Sequence, residues 1–293
     1  MDERNLLTER FETHRGQLRA VAYRMLGSAS DADDALQETW LRLHAADTGE
    51  VRNLAAWLTT VVSRVCLDML RARRSRREEP ADPTAPERAP DVADHDPADE
   101  AVLVDSVGRA LLVVLDRLTP AERVAFVLHD LFAVRFDEIA AVVDRSPVAA
   151  KKLASRARQR VRGVPAVPAA DLARQRQVVD AFLDASRRGD LDALLAVLAP
   201  DVVRRSDPAA LPPGAPTETR GARAVADGTM VFGRRSRYAE PALVDGAVGV
   251  VVAPGGRLGF VLAFTVRDGR VAAYQVIADP DRLRRLTLAV LDR

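Results

Sequence analysis

The stretch that decides the fold runs Phe136-Asp137-Glu138-Ile139-Ala140-Ala141-Val142-Val143, then Asp144-Arg145-Ser146, then Pro147-Val148-Ala149-Ala150-Lys151-Lys152-Leu153-Ala154-Ser155-Arg156-Ala157-Arg158. Apolar residues recur at helical spacing on both sides of the three-residue break. Ser146 suits an N-cap, and Pro147 suits the first helical position, where its missing N–H is no loss. The pattern predicts helices over 136–143 and 147–162 joined as a helix-turn-helix, although the glycine common in such turns is absent. The second helix carries Lys151, Lys152, Arg156, Arg158, Arg160 and Arg162 and no acid. Such a helix can neutralise several DNA phosphates while one face reaches base edges in the major groove. Val148, Leu153 and Val161 are expected to hold it against Ile139 and Val142. An ordinary solvated basic helix is the alternative.

Upstream, Thr119-Pro120-Ala121-Glu122 combines a capping box with proline at the first helical position, a specific helix start. Residues 101–163 therefore read as one helical domain. Residues 80–100 hold five prolines, mostly acids among the charges, and almost no large apolar residue. Nothing there can bury a core, and a flexible acidic linker is expected. Residues 1–79 read as three helices. The first passes through Phe11, Leu18, Val21 and Met25 and stops at Gly27. The second opens near Ser30 with acids in its first turn, where the helix dipole favours them. The third, capped by Asn53, carries Leu54, Leu58, Val61, Val65 and Met69 and ends in Arg71, Arg73, Arg74, Arg76 and Arg77.

Two basic helices in two small helical domains, with a linker between them, suggest a protein that touches DNA at two distant places. The second helix differs from both. Asp33, Asp34, Gln37 and Glu38 share one broad face beside Trp40 and Leu41. An acidic face with an aromatic anchor suits a basic protein partner and repels DNA; a charged surface without a partner is the alternative.

Beyond residue 170 the character changes. Helices are expected over 170–188 and 191–198, followed by β-branched runs at 247–253, 258–266 and 271–277. Pro254-Gly255-Gly256 and Asp268-Gly269 read as hairpin turns between them. An antiparallel sheet with helices packed on one face follows, making residues 171–293 an α+β domain. Pro208–Thr219, rich in proline, reads as a mobile loop.

With 293 residues, 48% of them hydrophobic and only 4% aromatic, the chain has room for several helix-rich domains. The formal net charge of +1 does not discriminate partners, so the local charge runs carry that information. Cys66 is a lone cysteine, excluding an internal disulfide. Neither a signal-like N-terminus nor an apolar run near 18 residues is present, so no membrane partner and a cytoplasmic location are expected. No cofactor and no metal site are expected.

Asp31-Ala32-Asp33-Asp34-Ala35-Leu36-Gln37-Glu38-Thr39-Trp40-Leu41-Arg42-Leu43 resembles the polymerase-binding helix of sigma-70 family factors of the extracytoplasmic-function type. Ala56-Trp57-Leu58-Thr59-Thr60-Val61-Val62-Ser63-Arg64-Val65-Cys66-Leu67-Asp68-Met69-Leu70-Arg71 is similar to that family's promoter-melting segment. Leu118-Thr119-Pro120-Ala121-Glu122-Arg123, Phe136–Ala141 and Arg156-Ala157-Arg158 resemble its second DNA-binding domain. These motifs span about 150 residues in the family's order. The resemblance implies an alternative sigma factor, not an enzyme: residues 1–79 would be region 2 and residues 101–163 region 4. Asp33, Asp34, Gln37, Glu38, Trp40 and Leu41 would dock on the β′ clamp of core RNA polymerase. Trp57, Ser63, Arg64, Asp68, Arg71, Arg73 and Arg74 would engage the minus-ten element. Ser63 and Arg64 fall where relatives read a flipped base, with Asn common at the position of Arg64. Ser146, Val148, Ala149, Lys151, Lys152, Ser155, Arg156 and Arg158 would engage the minus-thirty-five element.

Gln177–Pro200, with Phe182-Leu183-Asp184-Ala185 and Arg188-Gly189-Asp190-Leu191, resembles the opening of SnoaL-like domains of the NTF2-like cone fold. A subgroup of these sigma factors carries that extension in place of a separate anti-sigma protein. Ala278-Asp279-Pro280-Asp281-Arg282-Leu283 resembles its terminal Asn-Pro-Asp-Lys-Leu signature, whereas Ser206-Asp207-Pro208-Ala209-Ala210 stands in place of its acidic-glycine motif. The resemblance implies intramolecular contact of the last domain with the sigma domains, and a pocket for a small-molecule ligand. Two other readings stay open: a stand-alone DNA-binding regulator sensing a small molecule, and an enzyme tethered to DNA. All four histidines precede the last domain, which argues against the enzyme, though Asp207, Asp245 and Tyr238 remain candidate acids or bases.

Overall fold

The computed structural model describes residues 3–46, 51, 53–78, 108–231 and 233–291. The linker expected over 80–100 and the start of the segment expected over 101–163 lie outside the described residues. The helices run α1 (Glu3–Leu26), α2 (Ala29–Ala45), α3 (Leu54–Glu78), α4 (Arg109–Leu115), α5 (Pro120–Phe126), α6 (Phe136–Val143) and α7 (Pro147–Arg162). Then come α8 (Ala169–Arg188), α9 (Leu191–Val197), β1 (Leu198–Ser206), β2 (Glu218–Arg220), α10 (Ala222–Val231), β3 (Ala239–Val244), β4 (Ala247–Val252), β5 (Phe260–Arg267), β6 (Arg270–Ile277), α11 (Pro280–Arg285) and β7 (Leu288–Val290). They form two compact units. The first holds the described part of 1–107 with Leu115–Gln159, and the second holds Gly108–Val114 with Arg160 onward.

In the first unit α1, α2 and α3 form a bundle around Leu18, Val21, Met25, Leu36, Leu43, Leu58 and Val62. Gly27, at φ 73°, ends α1 by donating its N–H to the Tyr23 carbonyl at 2.7 Å. Ser28, not Ser30, caps α2: its Oγ accepts from the Asp31 N–H at 3.4 Å. Asn53 Oδ1 accepts from the Ala56 N–H at 3.1 Å. The capping box at α5 is reciprocal, Thr119 accepting from the Glu122 N–H and Glu122 accepting from the Thr119 N–H. Between α6 and α7 the glycine-free turn works because Asp144 takes the left-handed conformation (φ 55°, ψ 56°), which Asp tolerates better than most residues.

Helix α7 is seated differently from the expectation. Val161 is buried as expected, but Val148 is 66% exposed and Leu153 only half-buried, and the rest of the buried stripe is Ala150, Ala154 and Ala157. Small side chains let a helix approach closely, and Val148, one step off that stripe, faces outward.

In the second unit one seven-stranded sheet has the order β2-β1-β6-β5-β4-β3-β7. Strands β4 to β6 form the expected antiparallel meander, β3, not expected from the sequence, extends it by pairing with β4, and Asp268 (φ 49°) and Gly269 (φ 70°) make the β5–β6 turn. The sheet is not wholly antiparallel, because β1 pairs parallel with β6. The chain leaves β1 through α10 to reach β3, and that crossover frees β1 to lie on the far side of the meander. The segment 208–219 opens with a short helical turn at Pro208–Ala210 and returns to the sheet, where Ser206 donates its N–H to the Thr217 carbonyl at 2.8 Å and β2 pairs with β1. The core joins Val179, Phe182 and Leu183 of α8, Leu194 of α9 and Val225 of α10 to Val250, Val252 and Tyr274 of the sheet. The segment entering α8 is pinned by Ala166, which donates to the Gly246 carbonyl at 2.8 Å. A Cβ at Gly246 would lie 2.7 Å from that same nitrogen, so only glycine fits there.

Candidate functional site

On α2, burial of Ala32, Ala35, Leu36, Thr39 and Leu43 fixes which face meets the bundle. Asp34, Gln37 and Leu41 are left exposed, with Leu41 at 57%. Glu38 accepts from Arg42 at 2.8 Å along the same helix. Trp40 lies against Phe11 (4.9 Å between ring centroids) and His44 (4.0 Å), so its edge is held in place. Asp33 is drawn aside: it takes a two-pronged contact from Arg19 of α1, at 2.8 and 3.1 Å. The outward surface is thus acidic, with an exposed leucine at its end.

On α3 the expected minus-ten residues fall into two groups. Asp68, Arg71 and Arg74 are exposed, Asp68 and Arg71 facing each other at 3.7 Å. Arg73 is a tie within the bundle, donating to the Leu26 carbonyl at 3.1 Å and pairing with Asp31. Trp57 is half-buried. Ser63 is buried and turns its hydroxyl back to the Thr59 carbonyl at 2.6 Å. Arg64 extends to α6 and donates to the Ala141 carbonyl at 2.9 Å. A second stripe of α3, Ser63 and Leu67, is buried because α3 contacts α5 and α6 as well as α1 and α2. Nearby, Arg123 is buried beside Asp116 (3.4 Å), and desolvation pushes its guanidinium down to about 10, still charged at neutral pH. Burial pushes the Cys66 thiol up to about 12.

Helix α7 offers Ser146, Val148, Lys151, Lys152, Ser155 and Arg156 to solvent on one side, with Ala149 half-buried. Ser146 Oγ accepts from the Ala149 N–H at 3.2 Å and fixes the start of the helix. Arg158 is held back by Asp130 at 2.7 Å. Lys151 and Lys152, without an ion pair among the described residues, therefore lie in the first two turns, the part of such a helix that enters a major groove.

The second unit contains a cavity of about 80 Å³, walled largely by apolar side chains such as Phe182, Leu183, Phe260, Leu262 and Val276. Its polar groups are Arg204, Ser186, Ser206, Thr229 and Tyr274, with Arg235 and Ser236 at its edge. None of these was singled out from the sequence, which pointed to Asp207, Asp245 and Tyr238. The signal was present in the alternation of β1, where Val202, Arg204 and Ser206 face inward. Asp207 is instead a structural carboxylate: it accepts from the Ala278 N–H (3.0 Å), the Asp279 N–H (3.1 Å) and Arg282. That binds the segment resembling the terminal signature to the end of β1. Asp245 likewise accepts from the Thr287 N–H at 2.8 Å.

The Sigma-70 region 2 family matches residues 10–76, and the Sigma-70, region 4 family matches residues 108–161. The ECF RNA polymerase sigma factor SigJ of Mycobacterium tuberculosis is 40% identical over 288 residues, 93% of this chain and 91% of that protein. The crystal structure of SigJ aligns at 36% identity over 94% of this chain and 98% of its own, with a TM-score of 0.46. The structure of an NTF2-like protein from Burkholderia xenovorans aligns at 25% identity with 40% of this chain and 97% of its own, with a TM-score of 0.28. A three-helix bundle matching region 2 and a helix-turn-helix matching region 4 define a sigma-70-type initiation factor. Within that class, the chain belongs to the ECF RNA polymerase sigma factors. It is an initiation factor, not an enzyme: it binds core RNA polymerase and promoter DNA and directs where transcription starts. Among the described residues no helix is long and apolar enough to cross a membrane.

Proposed function

We propose that residues 1–79 bind polymerase and the melted minus-ten strand, that 101–163 read the minus-thirty-five duplex, and that 171–293 modulate both. Asp34, Gln37, Glu38 and Leu41, steadied by Trp40 and by the Arg19–Asp33 pair, dock on the β′ clamp. Arg71, Arg74 and Asp68 line the approach of the single strand to Trp57, Ser63 and Arg64, which capture an unstacked base. Lys151, Lys152 and Arg156 set register on phosphates, while Val148, Ala149 and Ser155 face base edges. Val148 and Ala149 suit thymine methyl groups. The observation that carries this reading is the separation of charge. The exposed face of α2 is acidic, and the exposed faces of the α3 end and of α7 are basic.

Modulation by the last domain is supported by where region 4 begins. Its family match starts at residue 108, and Gly108–Val114 belong to the same compact unit as the C-terminal sheet. Glu240 of β3 accepts from the Arg109 and Ala110 N–H groups, the latter at 3.1 Å, and so caps α4. A ligand in the C-terminal cavity would act through the same unit. Cutting the chain after residue 170 and measuring promoter-dependent transcription with core polymerase tests the modulation. A changed output is expected, and an unchanged one removes it.

A further inference from the structure

Arg204 is 9% exposed and sits at an inward position of β1, in the wall of the apolar cavity. A buried guanidinium is costly unless a negative charge or full hydrogen bonding offsets it. Among the described residues no carboxylate pairs with Arg204, and the residues lining the cavity include Arg204 and Arg235 but no acid. The hydroxyls around Arg204 cannot serve as its counter-charge. Thr229 donates to the Val225 carbonyl at 2.8 Å, so the Tyr274 hydroxyl, 3.0 Å away, gives its proton to Thr229. Arg204 lies beside the Tyr274 hydroxyl, and burial holds that phenol above the ordinary tyrosine range and neutral. Arg204 Nη2 donates to Thr219 Oγ1 at 3.0 Å. These contacts aim the guanidinium and leave its charge whole.

The fold also makes room for this group at a cost. Gly228 lies inside α10, where glycine weakens a helix by roughly 1 kcal/mol relative to alanine. A Cβ there would stand 2.5 Å from Arg204 Nη1.

We propose that the cavity is an organic-anion site: it takes a small monoanionic acid whose carboxylate pairs with Arg204 and whose ring or short aliphatic body lies against Phe182, Leu262 and Val276. The inference rests on the reading of this cavity as a ligand site, and adds the ligand's charge and its contact residue. A planar carboxylate matches the guanidinium fork, and a low-dielectric wall strengthens the pair.

The test is calorimetric titration of the full chain with benzoate, phenylacetate, cinnamate and octanoate, each beside its uncharged amide. At least one acid is expected to bind ten-fold or more tightly than its amide, and Arg204→Met is expected to abolish that difference. Arg204→Met is also expected to raise the melting temperature without acid present, because it removes a buried charge lacking a counter-ion. A lowered melting temperature together with no preference for acid over amide would make Arg204 a structural residue and overturn the proposal. The acid–amide comparison uses the unaltered chain, so it stands whatever the variant does. Equal binding of acids and amides would overturn the anion site while leaving a ligand cavity. Binding of neither would overturn both.

Discussion

The Arg64 guanidinium on α3 donates to the Ala141 carbonyl on α6 at 2.9 Å, joining residues 77 apart in sequence. It ties the helix proposed to capture the melted strand to the first helix of the helix-turn-helix, and the adjacent Ser63 is buried. In this conformation neither side chain is free to receive a base. Because Arg64 itself is exposed, the tie is weak enough for polymerase and DNA to displace it. Arg64→Ala is expected to cost the free protein no more than about 1 kcal/mol in urea unfolding, yet to reduce open-complex formation about ten-fold. A large stability loss with unchanged open complexes would make Arg64 a packing residue.

The lone thiol gives a probe of the same unit. Cys66 is buried, and burial raises its pKa to about 12 from the ordinary 9.0, so the native state holds almost no thiolate at pH 8. Maleimide labelling is expected to be slow in buffer and fast in denaturant. The sign of the pH effect follows: this group's contribution to stability is whole below pH 9 and is lost as pH rises towards 12. Labelling at equal rates in both media would contradict the packing of α3.

Phosphate contacts on α7 can be separated from internal pairing by salt. Lys151 and Lys152 are exposed, whereas Arg158 is engaged by Asp130. With each phosphate contact adding about 0.9 to the slope of log K against log salt, Lys151→Ala with Lys152→Ala should flatten it by nearly two. Arg158→Ala should change it by less than one. The measurement is promoter binding by the polymerase holoenzyme across a salt series.

Glu240 is where the regulatory reading can be tested without cutting the chain. Its carboxylate accepts the first N–H groups of α4, a cap whose loss costs about 1 kcal/mol. Glu240→Ala is expected to alter transcription output at an unchanged level of folded protein, measured by circular dichroism. Unaltered output would detach α4 from regulation.

Much of the helical architecture was legible because its punctuation is local. Gly27, Asn53, Thr119 with Glu122, and Ser146 with Pro147 each fix a boundary through a hydrogen bond made within a few residues. The acidic face of α2 was legible too, but the diversion of Asp33 to Arg19 was not, since that pairing depends on how α1 crosses α2. The errors share a cause. Val148 reads as an anchor by hydropathy, yet the alanine stripe wins because close approach matters more there than side-chain size. Strand β1 contains Pro200, Asp201, Arg204 and Arg205, a composition that hides a strand until its parallel partner β6 is known. Buried Arg204 was missed for the same reason: its environment is assembled from α8, α10, β5 and β6, far apart in sequence.

The most direct test is promoter-dependent transcription by core polymerase supplied with this chain or with its Asp34→Lys, Glu38→Lys variant. Both side chains lie on the outer surface of α2, and the ion pair of Glu38 is with Arg42 of the same helix, so the bundle should stay folded. The unaltered chain should drive specific initiation, and the variant should lose both core association and transcript. Full transcription from a folded variant would show that the acidic face of α2 does not hold the polymerase.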